Sequence, residues 1–263
     1  MRIRRWATIV SLCLTFSSCC NAQALLVAVA SNFKPTAQLL ADQFKTTNAI
    51  DIKLSSASTG VLFAQIRQGA PFDVFLAADT RHVQALQEAG LSHADTRITY
   101  AIGELVLISD NEVVIKNDLK LTLQNLRQKK QQIAIANPST APYGRAARET
   151  LQQLGTWEAV DKNVIRANNV AQSMHYVAAQ TVRAALTARS LLQHAKLADN
   201  LAIVAVPQYL HAPIEQQAVV LHQAPHVKQA KAFIQFLRSE AARKLISDNG
   251  YLLPQLPANN DTL

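Results

Sequence analysis

From Leu25 onward the chain alternates short apolar runs with amphipathic stretches, and that rhythm limits the fold more than any other feature. The runs 25–30, 50–54, 74–78, 132–136, 163–166 and 201–206 read as buried strands. Between them, 36–47, 61–68, 81–89, 145–153 and 170–180 place apolar residues three and four apart and read as helices. Repeated strand–helix–strand order implies largely parallel sheets with helices on both faces. The chain has 263 residues, 49% of them hydrophobic and 17% charged. That is enough apolar material for one large domain or two ordinary ones, and it excludes a disordered chain.

Two longer extended stretches interrupt the rhythm, 99–108 (TYAIGELVLI) and 216–221 (QQAVVL). Two crossings suggest that a middle α/β unit, 102–216, is inserted into a first unit made of 25–101 and 217–263. Within the tail, 227–245 reads as one long helix that ends near Gly250 and packs back on the first unit.

The first 24 residues have a different character. Arg2, Arg4 and Arg5 precede an apolar run, 6–16, and Ala22-Gln23-Ala24 forms a cleavage box. This is the pattern of an export signal. No later segment reaches the ~18 apolar residues of a membrane helix. All three cysteines, Cys13, Cys19 and Cys20, lie in this leader. The mature chain would therefore have no disulfide, thiol nucleophile or cysteine metal site. Cys19 is either a bystander or a lipid attachment point after Phe16-Ser17-Ser18. Loss of the three leader arginines takes the net charge from +8 to +5. The remaining basic residues are spread along helices without interleaved aromatics, which disfavours nucleic-acid binding.

Four strand-to-helix turns are lined with small polar residues: Ser31-Asn32, then Ser55 to Gly60 (SSASTG), then Asn137 to Gly144 (NPSTAPYG), then Asn168-Asn169. For any one turn, helix capping is the ordinary explanation. Taken together, they lie where ligands bind in parallel α/β sheets, at the carboxyl ends of the strands. Helix N-termini there present free N–H groups and partial positive charge, a ready anion site. Only seven glycines occur in the chain, which argues against a glycine-rich phosphate loop. Neutral donors in place of lysine suit a small, fully ionised oxyanion that is stripped of water; a cationic site suits phosphate esters better.

Catalytic readings find little support. There is no G-x-S-x-G and no H-E-x-x-H. His222 and His226 are four apart, but Pro225 between them spoils a helical metal face. Asp73 and Asp79 flank an apolar strand and read as turn and capping residues before paired catalytic carboxylates.

The segments VAVASNF, LSSASTGVLFAQIRQGAPFDVFLAAD, TYAIGELVLISD, NPSTAPYGRAA and RANNVAQS resemble the periplasmic molybdate-binding proteins of ABC importers, in order and spacing, from Leu25 to about Leu253. The resemblance implies an α/β protein with the type II periplasmic-binding-protein fold: two α/β lobes joined by two hinge crossings, with the ligand cleft between them. It also implies a monomer without enzymatic activity or cofactor. Such a protein captures molybdate, and usually tungstate, and passes it to a membrane permease. Molybdenum enters only as the bound oxyanion. Carried over by position, Ser31 and Thr59 supply hydroxyls, and Asn32, Tyr143 and Val170 supply backbone N–H groups. Ser31 and Thr59 belong to one lobe and Tyr143 and Val170 to the other, so binding closes the cleft.

One stretch departs from that pattern. Relatives carry G-x-A-D-x-G-F-V where this chain has QTVRAALT (180–187), with Arg183 at the acidic position and Ala185 at the second glycine. Ala188 stands where many relatives place a ligand tyrosine. The stretch therefore reads as a continuation of the preceding helix. Sulfate or phosphate as cargo remains an alternative. An exported hydrolase lacks a nucleophile–base pair, and a regulator's sensing domain conflicts with the leader.

Overall fold

A computed structural model describes residues 24–195 and 200–255. The leader, with Cys19, lies outside the described residues. In chain order the first part holds β1 (Leu25–Ala30), α1 (Lys34–Asn48), β2 (Ile52–Ala57), α2 (Thr59–Arg67), β3 (Val74–Ala77), α3 (Arg81–Glu88) and β4 (Ile98–Gly103). The middle part holds β5 (Leu105–Asp110), α4 (Leu119–Gln128), β6 (Ile133–Ala136), α5 (Pro142–Gln153) and α6 (Trp157–Val160). It continues through β7 (Val164–Ala167), α7 (Val170–Ala178), β8 (Ala184–Ala188), α8 (Arg189–Leu192) and β9 (Leu201–Ala205). The chain ends with β10 (Ile214–Val220), α9 (Val227–Leu237) and α10 (Glu240–Asp248).

These strands form two five-stranded sheets, in the orders β2-β1-β3-β10-β4 and β7-β6-β8-β5-β9. Each is the core of one α/β lobe. The sheets are mixed, where the sequence rhythm implied largely parallel ones. β1 pairs parallel with β2 and β3, but β10 is antiparallel to both β3 and β4. In the second sheet β6 pairs parallel with β7 and β8, whereas β5 is antiparallel to β8 and β9. The antiparallel strands are the ones next to the crossings between lobes. They do not follow a helical crossover, so the parallel rule does not govern them.

The extended stretch 99–108 is two strands. β4 ends in the first sheet at Gly103 and β5 starts in the second at Leu105, so Glu104 alone separates them. The return crossing is residues 206–213, which lead into β10.

Alternation along β1 fills both faces of the first sheet. Val27 and Val29 join Phe33, Phe44 and Phe233 on one side. Ala28 joins Phe75, Leu62 and Val83 on the other. Leu107, Ile135 and Leu186 centre the second lobe's core. In α1 the buried residues are Thr36, Ala37, Leu40, Ala41 and Phe44, one stripe at helical spacing. Phe44 meets Phe233 of α9 edge-on at 5.2 Å, which seats the tail on the first lobe.

Two further expectations need correction. The tail is two helices, because Ser239 adopts an extended conformation and its hydroxyl accepts from the Ala242 N–H at 3.2 Å, starting α10 afresh. The stretch 180–187 does not continue α7. Gln180 has φ of 56°, which stops the helix, and Ala184–Ala188 becomes the strand between β6 and β5. Helix α4 is also absent from the sequence reading. Among the described residues, no helix is long and apolar enough to cross a membrane.

Ser239→Ala removes the α10 cap and is expected to cost about 1 kcal/mol. Urea denaturation followed by circular dichroism reads this as a lower midpoint with an unchanged slope.

Candidate functional site

Helices α1, α2, α5 and α7 all begin beside one small cavity between the lobes. Its lining includes Ser31 and Asn32 before α1, Ser58 and Thr59 at the start of α2, Tyr143 in the first turn of α5, and Val170 at the start of α7. The structure thus brings together all five residues singled out from the sequence: Ser31, Asn32, Thr59, Tyr143 and Val170. Ser58 joins them. The cavity offers about 10 Å³ to the centre of a water-sized sphere. That is on the order of what one water needs, so a tetrahedral oxyanion enters only if the lobes part.

The capping explanation fails at three of the four turns. No side-chain cap forms at the start of α1, α2 or α5; only Asn169 caps its helix, accepting from the Gln172 N–H at 3.1 Å. Among the described residues, the N–H groups of Lys34, Thr59 and Tyr143 meet no backbone acceptor outside their helices. Among the described residues, the Asn32 N–H also meets no backbone acceptor. The Thr59 hydroxyl accepts from the Ala78 N–H at 3.0 Å, which leaves its own O–H to donate elsewhere. The Ser58 hydroxyl is buried and has no hydrogen-bond partner. A buried, unpaired hydroxyl costs stability unless something else satisfies it.

Among the described residues, no lysine or arginine lines this cavity. Lys34 lines the adjoining, wider groove of about 550 Å³, together with Ser31, His175 and His194. Arg166, two residues before the fourth turn, is paired with Asp161. Arg183 is paired with Asp110 at 2.6 Å. The acidic position of the sequence pattern is thus filled by a cation tied to the end of β5, away from the cavity.

Behind the cavity lies a buried polar network that sequence reading missed. The Asn32 amide donates to the Gln216 side-chain oxygen at 2.8 Å, and the Tyr251 hydroxyl donates to the Asn32 carbonyl at 2.8 Å. The Tyr100 hydroxyl lies 3.2 Å from the same Gln216 oxygen, and the Gln216 amide reaches the Tyr143 hydroxyl at 3.5 Å. Burial, then neighbouring tyrosines, pushes the phenols of Tyr100 and Tyr143 well above their ordinary range. Burial raises Tyr251 as well. The network stays neutral and holds Asn32 by its side-chain amide and its carbonyl. Gln216 lies in the polar run Glu215-Gln216-Gln217 of β10 and is fully buried. A register shift between Gln216 and Gln217 marks the same place.

The lobes touch across the cleft. The Gly60 N–H donates to the Thr140 carbonyl at 2.8 Å, and a Cβ on Gly60 would sit 2.8 Å from that oxygen. A Cβ on Gly103 would meet the Tyr143 hydroxyl at 2.1 Å, so the phenol lies flush against the crossing strand. Asp79 accepts from the His82 N–H at 3.1 Å, has the His82 Nδ1 at 2.9 Å, and receives Arg145 from the other lobe at 3.0 Å. Burial pushes its carboxyl up, but the bonds from His82 and Arg145 outweigh this and leave it below the usual range. Asp79 is thus a paired carboxylate. Asp73 is anchored separately, accepting from the Leu26 N–H at 2.8 Å and the His226 N–H at 3.0 Å. His226 accordingly faces Asp73, and His222 stacks obliquely on His93 at 5.2 Å. Among the described residues, no group of three or more His, Cys, Asp or Glu is placed to hold a metal ion.

The profile of the bacterial extracellular solute-binding proteins matches residues 25–252. The molybdate-binding protein ModA of Azotobacter vinelandii is 34% identical over 235 residues, covering 88% of this chain and 92% of that protein. ModA of Rhodobacter capsulatus is 30% identical and covers 95% and 96%. The solved periplasmic molybdate-binding protein of Azotobacter vinelandii superposes with a TM-score of 0.81 at 32% identity, over 88% of this chain and all of that one. The Mycobacterium tuberculosis sulfate-binding protein SubI, at 14% identity and a TM-score of 0.71, shares the fold alone. With the two-lobed fold and nearly the whole chain from Leu25 matched, this chain belongs to the bacterial extracellular solute-binding proteins.

Proposed function

We propose that this protein captures molybdate, and tungstate with it, between its two lobes in the periplasm and delivers the anion, as a monomer, to the permease of an ABC importer. One observation carries the reading: four helix N-termini from both lobes converge on a cavity that no lysine or arginine among the described residues lines, and three of them lack side-chain caps. The ModA relatives supply the name of the anion.

In this reading the Ser31 and Thr59 hydroxyls and the N–H groups of Asn32, Tyr143 and Val170 replace the anion's water. Each is neutral, so desolvating it costs less than desolvating an ammonium or guanidinium. The helix N-termini add partial positive charge that is fixed in place before binding. An anion held from both lobes favours the closed arrangement, because only there do all the donors reach it. The resulting change of shape is what a permease would read.

Titration calorimetry of the ligand-stripped chain from residue 25 onward tests this. We expect one-to-one binding of molybdate and tungstate and little heat from sulfate or phosphate. Sulfate or phosphate binding instead changes the cargo and keeps the clamp; no binding of any of the four defeats the reading. Each hydrogen bond to a charged ligand is worth about 1.5–3 kcal/mol. Ser31→Ala and Thr59→Ala should therefore each raise Kd by about 10- to 100-fold. Gly60→Ala should raise it about tenfold without touching a ligand donor, since the added methyl props the lobes apart at Thr140. Circular dichroism confirms that each variant is folded.

A further inference from the structure

We infer that Arg145 is a positioning residue: its ion pair with Asp79 clasps the two lobes and sets the first turn of α5 against the first lobe. The inference rests on the anion-binding reading above, in which that turn carries the Tyr143 N–H. Three observations support it.

The first is that Arg145 stands in the first turn of α5, which holds no acidic residue. A cation there opposes the helix dipole, and Glu149, one turn further on, is bonded to the Ala212 N–H. Its compensation comes from the other lobe, where the Asp79 carboxylate receives its Nη2 at 3.0 Å. The second is that Asp79 does not need Arg145 to be satisfied. The His82 backbone N–H and the His82 ring already bond it within its own lobe. The arginine is an addition made across the cleft, which the folding of the first lobe does not require. The third is shielding. The Asp79 side chain is 8% exposed and that of Arg145 26%, so the pair is partly protected from solvent, unlike an open surface pair. The Gly60–Thr140 backbone bond lies in the same closed interface.

The arrangement also places a charge next to the anion site and cancels it. Ala78 lines the cavity and Asp79 follows it in sequence. A bare carboxylate at that edge would repel an oxyanion, and Arg145 offsets it only when the lobes are closed. Closure and charge cancellation are then one event.

The test is stopped-flow release of molybdate from the wild type and from Arg145→Gln, Asp79→Asn and the double variant. We expect each single substitution to speed release about tenfold, with little change in the association rate. The double variant should be no faster than the faster single variant, since both remove one interaction. Arg145→Lys should recover part of the loss. Release from Arg145→Gln at the wild-type rate, or additive effects in the double variant, would overturn the inference. A second readout needs no ligand. The chain from Leu25 onward has no cysteine, so spin labels at Gln65→Cys and Gln153→Cys can report the interlobe distance. Arg145→Gln should shift the ligand-free protein toward longer distances, and an unchanged distribution defeats the clasp. If the wild type binds no oxyanion, the anion-binding reading fails, and the label distances alone decide the clasp.

Discussion

Four helices aim their N-termini at one point, and such an arrangement is unfavourable by itself. Like partial charges face each other, and three of the four helices start without a side-chain cap. The fold forces the arrangement, because each strand–turn–helix unit ends its strand at the same edge of its sheet. Single-lobe folding brings two starts together, α1 and α2 in one lobe and α5 and α7 in the other. Only the meeting of the lobes assembles all four. The site is therefore a property of the closed pair, and a negative ion is the natural complement to it.

Neutrality around that point is maintained in two ways. The layer behind the cavity is made of amides and phenols, and burial keeps the phenols protonated. The charged groups near it are tied off: Asp79 by His82 and Arg145, Arg166 by Asp161, Arg183 by Asp110. A site built this way distinguishes ligands through shape and the number of donors. Lys34 stands outside this scheme, on the lining of the wider outer groove.

Much of this was legible in the sequence because it is local. The strands and helices that position the site follow from hydrophobic period, and the polar turns lie in the dozen residues around each strand end. What was not legible depends on pairing between distant segments. The stretch 99–108 looks like one strand because apolar residues flank Gly103-Glu104 on both sides, and one glycine and one charge do not say that the two halves pair in different sheets. The stretch 180–187 looks helical by its alanines, yet Ala184 and Ala185 are small residues packed in the middle of a sheet. The tail looks like one helix because a capping serine after an arginine is a weak signal. Nothing singled out Gln216 from its neighbours Glu215 and Gln217, because its partners Asn32 and Tyr100 are more than a hundred residues away.

The sequence by itself determined the alternation of elements, the polar character of four turns and the absence of cysteine from Leu25 onward. These depend on residue type and short-range spacing, which a chain carries before it folds. The tertiary structure decided that three of the four turns leave their helices without a side-chain cap, that the turns converge, and that Arg145 finds its counter-charge in the other lobe. Those facts depend on where two sheets and two crossing strands place groups that lie far apart in the chain. Local propensity cannot specify such positions, because hydrogen bonds and charges act over a few ångströms of space and are blind to distance along the sequence.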